Sequence, residues 1–470
     1  MITDRPYPHR WRILALTLVV GFMSLLDVTI VNVALPSIQT GLQTGPETIQ
    51  WIVSGYALTF GLTLVAGGRL GDAHGRRRLL VVGLIGFVTS SAAVGFAPTA
   101  ELVVAARLVQ GAAAGMLTPQ SSGLIQQLFR GRERGIAFGY FGTTVSLASA
   151  TGPVLGGLLI AAFGEDLGWR SIFLVNVPIG IVALILALAW VPKRRERADP
   201  AETRLDLVGA VLLGAAVLCV LLPTIEAQGG NRSAMLLLIG APACGWLFIR
   251  WERSIRRRGR PPLLDVALLR DTPGYASGIA VGTVYFTGFT GIFLVLSLFF
   301  QQAAGLTALQ AGLLVTPWAL GGAISSPIAG RLVSRVGRMI TVYAMLIMMT
   351  GIVGLLVVLP SEPDRLTWWW LLVPLLIAGL GGGGVISPNQ TLSLNDVPPR
   401  MGGAAGAALQ TGQRIGSAFG AALLVTVYHL GGARMNPSGG ARLALVCSLA
   451  VILVALALAV WDVRRRVNRS

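Results

Sequence analysis

Charge is what this chain has least of. Charged residues fill 12% of its 470 positions, against 54% hydrophobic residues and a mean hydropathy of +0.72. No soluble domain of this size has that balance, so the composition describes a polytopic membrane protein. Lysine is almost missing: all but one of the 37 basic residues are arginine, a bias that, with the abundant glycine and alanine, points to a high-GC bacterium. There are only three cysteines, Cys219, Cys244 and Cys447, all inside or at the ends of apolar runs. An odd, buried set argues for small packing residues rather than disulfides. The three histidines, His9, His74 and His429, are scattered, so no metal cluster follows from them. HExxH, phosphate-loop and Ser/His patterns are missing, which argues against an enzyme, and no cofactor is expected. The net charge of +17 invites nucleic acid. Its distribution in short loops, without a continuous basic face, argues against that partner.

What the chain has is long apolar runs. Fourteen can be drawn, at 11–36, 47–68, 79–97, 100–122, 135–160, 171–192, 205–223, 234–251, 276–303, 309–330, 339–360, 367–390, 402–429 and 441–462. Each reads as a membrane helix. Basic residues precede the first run, but it is too long for a signal peptide and lacks a clean cleavage site, so it reads as a retained helix. An even number puts both termini on one side. The positive-inside rule makes that side cytoplasmic, because most arginines then fall in inner loops, densest at Arg76-Arg77-Arg78, Lys193-Arg194-Arg195 and Arg256-Arg257-Arg258. Trp368-Trp369-Trp370 opens the twelfth run and reads as an outer interfacial anchor.

Asp27 is a carboxylate well inside a run, with Thr29 and Asn32 in the same segment. A charge there costs about 2.5–3.5 kcal/mol even on the lenient insertion scale, so it normally faces water or a partner. Arg107 and Arg414 are the arginines that lie well inside runs rather than at their ends. At about 1.5 Å per residue Arg107 lies roughly 11 Å below the outer end of its helix, and Asp27 roughly 24 Å up from the inner end of its own. In a hydrocarbon core of about 30 Å these depths are comparable, so the two are expected to pair directly or through water. A static ion pair and a proton-exchanging pair both fit, since pairing lowers an aspartate pKa and burial raises it.

A motif repeats. Gly68-Arg69-Leu70-Gly71-Asp72-Ala73-His74-Gly75-Arg76 follows the second run and Gly330-Arg331-Leu332-Val333-Ser334-Arg335-Val336-Gly337-Arg338 the tenth, aligning as G-R-L-x-x-x-x-G-R. The eight-run offset implies two six-helix halves, 1–192 and 276–470, separated by a linker, 193–275, that carries two extra helices. Duplicated halves with a site between them are a common transporter plan. Within the linker, Pro261-Pro262 precedes the short amphipathic stretch Leu263–Arg270, which is expected to lie at the cytoplasmic interface.

The chain resembles the major facilitator superfamily, and within it the fourteen-helix drug:proton antiporter branch. The resemblance rests on Gly68 to Arg78 (G-x-L-x-D-x-x-G-R-[KR]-x), Asp27 to Pro36 (L-D-x-T-I-V-N-V-A-L-P) and Arg107-Leu108-Val109-Gln110-Gly111 (R-x-x-Q-G). It rests equally on Gly152-Pro153-Val154-Leu155-Gly156-Gly157, Trp169 to Gly180, and Pro262-Leu263-Leu264-Asp265. It covers essentially the whole chain. It implies an all-α major facilitator fold of two six-helix bundles plus two inserted helices. It also implies export of hydrophobic drugs or antibiotics, driven by the proton gradient rather than a cofactor, through the bacterial cytoplasmic membrane, by a monomer. An endogenous metabolite, lipid or siderophore as cargo is the alternative. The resemblance gives Arg107 a proton-transfer role beside Asp27 and associates the Gly152-Pro153 bend, with Gly156, with exporters.

Candidate cavity residues are Asn32, Tyr56, Gln110, Phe141, Tyr285, Phe289, Trp318, Gln410, Gln413 and Arg414. The gating candidates are the repeat positions Gly68, Asp72, Gly75, Arg76, Gly330, Arg331, Gly337 and Arg338, with Asp72 as a latch across the cytoplasmic gap that Ser334 does not reproduce. Some members of the branch that the chain resembles carry an extra carboxylate in the tenth run for divalent cations; this run has none, so the resemblance implies monovalent or neutral lipophilic cargo.

Overall fold

Apolar runs this long, broken by short arginine-bearing turns, fold as helices because the hydrocarbon core offers no other partner for backbone N–H and C=O groups. The computed structural model describes residues 7–192, 206–228, 232–360 and 367–467. The basic run Lys193-Arg194-Arg195 lies outside them. Six helices open the chain: α1 (Arg10–Gly41), α2 (Pro46–His74), α3 (Arg76–Gly95), α4 (Ala100–Leu128), α5 (Gly131–Leu174) and α6 (Asn176–Trp190). The extra pair follows, α7 (Leu207–Gln228) and α8 (Gly240–Arg257), then the short α9 (Ala267–Asp271). Six more close it: α10 (Tyr275–Leu298), α11 (Ala308–Val336), α12 (Met339–Val358), α13 (Trp369–Ser393), α14 (Gly402–Arg434) and α15 (Pro437–Val467). Among the described residues there are fourteen long helices and no strand.

Three elements differ from the sequence expectation. Helical φ and ψ continue through Pro153, and a further break not expected from the sequence lies at Gly164, at φ +77°. Proline removes one backbone donor but fits helical φ, whereas a left-handed residue ends the helix, and glycine takes that conformation without strain. The eighth run begins as a 3-10 helix, Arg232–Ile239, before becoming α8. The last eight positions of α8 carry Arg250, Glu252, Arg253, Arg256 and Arg257, so its apolar stretch ends near Arg250 and its final turns lie beyond the hydrocarbon. The stretch after Pro262 is helical only over the five residues of α9, and Leu263 and Leu264 are buried against Phe248, Val65 and Ala407. These leucines therefore dock into protein rather than lying on lipid.

Helices α1–α6 pack on one another, as do α10–α15, and the halves meet along two seams, α5 with α11 and α2 with α14. The repeat relates the seams: α2 corresponds to α11, and each crosses a helix of the other half. Among the described residues only the α2–α14 seam is covered by the inserted pair, through Val217 and Leu221 of α7 against Leu58 of α2, with Ile415 and Ala418 of α14 alongside. Trp368, Trp369 and Trp370 are all exposed, two of them stacked with ring centroids 5.4 Å apart, as an interfacial anchor requires. All three cysteines are free.

Candidate functional site

Asp27, in mid-α1, is fully buried, and Arg107 of α4 is 1% exposed. The guanidinium Nη1 stands 2.5 Å from Asp27 Oδ2. The second carboxylate oxygen accepts from Gln110 Nε2 and Asn176 Nδ2, each at 3.0 Å. Both amides also donate to Ser91 Oγ, at 3.0 and 3.2 Å, and Gln110 Oε1 accepts from Arg107 Nη1 at 2.9 Å. Arg107 Nε donates to the Ile52 carbonyl at 3.1 Å. Side chains of four helices, α1, α3, α4 and α6, with a backbone carbonyl of α2, thus supply one buried polar network inside the first half. A buried ion pair of this kind adds little net stability, but removing one partner costs about 3–5 kcal/mol because the other is left charged and unpaired.

Glycines bring α1 and α5 together beside the network. A Cβ on Gly152 would strike the Thr29 side chain, and one on Gly156 would stand 3.1 Å from Ile30 Cγ1. Thr29 Oγ1 lies 3.1 Å from the Ala148 carbonyl, one turn before Pro153.

The network reaches the second half through aromatic rings. The Arg107 guanidinium lies over the Tyr56 ring, 4.2 Å from its centroid, and the Tyr56 hydroxyl donates to the Ser24 carbonyl at 3.2 Å. Tyr56 stacks on Phe60 at 6.1 Å. Arg414 of α14 covers the other end of that stack, 4.5 Å from the Phe60 centroid. Cation–π contacts of this kind are worth about 0.5–2 kcal/mol each. A cation of the second half therefore sits two rings away from the buried pair.

In this conformation several cavity candidates serve as packing rather than as lining. Tyr285 is fully buried, its hydroxyl donating to the Gly382 carbonyl at 3.1 Å, and it stacks on Phe289, which meets Trp318 edge-on at 5.9 Å. Phe141 is buried in a core cluster shared by the two halves, Tyr56 is buried beneath Arg107, and Gln110 turns inward onto Asp27. Gln410 donates across the halves to Ser122 Oγ at 2.8 Å, Gln413 is buried beside Gly282, and Asn32 is exposed on α1. Asn176 and Ser91, central to the network, were not singled out in the sequence. Their signal is a polar residue within an apolar run.

The repeat loops form the arginine-rich end. Gly75 and Gly337 end α2 and α11 at φ +99° and +63°, a region that favours glycine. A Cβ on Gly68 would stand 2.5 Å from the Gly403 carbonyl of α14, and one on Gly330 would strike the Gly135 carbonyl of α5. Both halves therefore touch backbone to backbone here. Asp72 accepts from the N–H groups of Gly403 and Ala404, at 3.1 and 2.8 Å, and pairs with Arg76 at 2.8 Å. A carboxylate on the first turn of α14 complements the helix dipole. Arg76 also donates to the Pro399 carbonyl at 2.8 Å and to that of Gly123. In the other copy, Arg338 pairs with Asp462 of its own half at 2.9 Å, Arg331 is exposed, and Ser334 makes a local contact to the Arg331 carbonyl.

Residues 17–421 match the family model described as the Major Facilitator Superfamily. The chain belongs to the major facilitator superfamily. It is a membrane transporter rather than an enzyme. Among relatives in the superfamily, the probable actinorhodin transporter of Streptomyces coelicolor is 34% identical over 90% of this chain and 73% of its own length. The puromycin resistance protein pur8 of Streptomyces alboniger is 34% identical over 90% of this chain and 82% of its own length. The drug efflux pump JefA of Mycobacterium tuberculosis is 35% identical over 86% of this chain and 78% of its own length. In fold, the chain is similar to the human organic anion transporter MFSD10, with a TM-score of 0.71 at 17% identity, covering 96% of this chain and all of that one.

Proposed function

We propose that the protein is a proton-coupled antiporter that exports hydrophobic drugs or antibiotics across the bacterial cytoplasmic membrane by alternating access. On this reading it works as a monomer, with the arginine-rich end and both termini in the cytoplasm. The names of the relatives support export of drug-like cargo. The observation that carries proton coupling is the sealed Asp27–Arg107 pair with Gln110 and Asn176. With the arginine-rich end closed, the Asp27 carboxylate is held by Arg107, Gln110 and Asn176 together. Taking up a proton from outside requires it to part from Arg107. That movement bears on Tyr56, Phe60 and Arg414, and so on the second half. The gradient supplies the work, each charge crossing 100 mV being worth about 2.3 kcal/mol.

Everted membrane vesicles loaded by a proton gradient, with ethidium as a monovalent lipophilic probe, test this reading. Asp27→Asn is expected to abolish gradient-driven transport while the purified variant keeps its size-exclusion profile. Undiminished gradient-driven transport by that variant would discard the mechanism. The name of the actinorhodin transporter favours a second reading, export of an endogenous product on the same scaffold. Substrate profiling of a deletion strain separates the two.

A further inference from the structure

Glu252 lies in the final turns of α8, just past its apolar stretch. It is 1% exposed, and neither carboxylate oxygen has a hydrogen-bond partner among the described residues. The proposed transport cycle does not use it. A buried carboxylate without a donor or a counter-cation is costly as an anion.

The charged groups around it do not relieve that cost. Asp206, at the start of α7, places Oδ2 beside Glu252 Oε1, with Gly209 between them. The two oxygens lie 2.5 and 2.7 Å from the point where a Cβ on that glycine would stand. Asp206 takes the available donors: the Gly209 N–H at 3.0 Å and the Trp251 indole N–H at 3.0 and 2.9 Å from its two oxygens. Asp265, ahead of α9, adds a second negative charge and is engaged with Arg256 at 3.6 Å. Glu252 itself lines a cavity of about 280 Å³ together with Arg253, Arg256, Asp265, Arg270 and Asp271, and none of those arginines forms an ion pair with it. From α2 and α14 come Val65 and Ala407, both apolar, in the patch beside Leu263 and Leu264. Two carboxylates therefore stand side by side, and the donors serve only one of them.

We propose that Asp206 and Glu252 form a carboxyl–carboxylate pair that binds one proton at the arginine-rich end of the inserted hairpin, with the proton held on Glu252 while the halves are closed at that end. Three donor contacts favour Asp206 as the charged partner, and Glu252 is the member that takes the proton because it forms no ion pair among the described residues. Burial first, and the Asp206 charge second, push the Glu252 carboxyl up to about 8. The nearby Leu263 and Leu264 N–H groups offset part of this without making a hydrogen bond. The site is thus loaded at neutral pH and empties as pH rises through about 8. Because this value lies above the ordinary carboxyl range, the neutral group's contribution to stability is complete at acid pH and is lost as pH rises through the folded value. Ionised Glu252 would draw water under the Leu263–Leu264 dock and loosen the hairpin from the α2–α14 seam.

Infrared spectroscopy of the purified full-length protein in detergent reads the protonated carboxyl directly and needs no transport. The wild-type spectrum minus that of Glu252→Gln at neutral pH is expected to show one protonated-carboxyl stretch, which fades as pH is raised through about 8. Asp27→Asn is expected to leave that band in place, so failure of the transport mechanism leaves this site standing. Asp206→Asn is expected to keep the band and move its midpoint toward acid. This second variant tests the pair even if Glu252→Gln does not fold. The proposal is overturned by no band at neutral pH, by a midpoint in the ordinary carboxyl range, or by a midpoint unmoved in Asp206→Asn. It is equally overturned if sodium or magnesium stabilises the wild type but not Glu252→Gln, since the pair would then hold a metal cation.

Discussion

One half of this molecule seals a carboxylate and a guanidinium deep in its interior. The other half, carrying a second copy of the same loop motif, buries Tyr285 and Trp318 about a half-buried Phe289. Its own ion pair, Arg338–Asp462, lies at the arginine-rich end. The loops diverge in parallel. Both copies place a glycine against the backbone of the opposite half, but only the first extends a carboxylate across the divide, from Asp72 to the start of α14. The duplication preserved the steric plan and let the charges differ. The proposed proton chemistry lies in the first half, and the second half answers to it through Arg414.

The largest test of that asymmetry is Arg107→Ala, which strands Asp27. We expect a loss of about 3–5 kcal/mol in unfolding free energy, and a smaller loss when Asp27→Asn is added, because the two changes remove one interaction. Chemical denaturation of the purified protein measures both. Next come Gly68→Ala and Gly330→Ala, each forcing a methyl onto a facing carbonyl at about 1–3 kcal/mol. If the steric plan is shared, both open the arginine-rich end to a similar degree, read as faster alkylation of a cysteine placed at buried Ala404 in a cysteine-free background. Asp72→Asn weakens the contact with α14 and the pair with Arg76 by about 1–2 kcal/mol and accelerates the same reaction. Ser334→Ala is expected to change it by no more than about 0.5 kcal/mol. Equal effects of these two variants would erase the distinction between the copies.

The pairing of Asp27 with Arg107 was legible in the sequence, because helical rise fixes depth and a bilayer penalises both charges. The repeat was legible for the same kind of reason, since it punctuates two equivalent turns. Asn176 and Ser91 were not legible as partners, because depth along a helix says nothing about which face of α3 or α6 turns toward α1. The donors to Asp72 are residues 403 and 404, and a separation of that length is set only by how the halves dock. Tyr285 and Trp318 read as cavity candidates because an aromatic side chain suits a lining and a core equally. Glu252 escaped notice because it stands just beyond an apolar run among arginines, where a solvated carboxylate is the ordinary expectation.

The position of α7 has a consequence for how an oily molecule meets the protein. Cargo dissolved in a leaflet approaches sideways, and of the two lines where the halves abut, one is roofed by Val217, Leu221 and their neighbours. The flank where α5 meets α11 carries no such roof among the described residues. On the proposed reading that flank is the one left open to cargo arriving from a leaflet, and there Pro153 of α5 packs closely against Gly312 of α11.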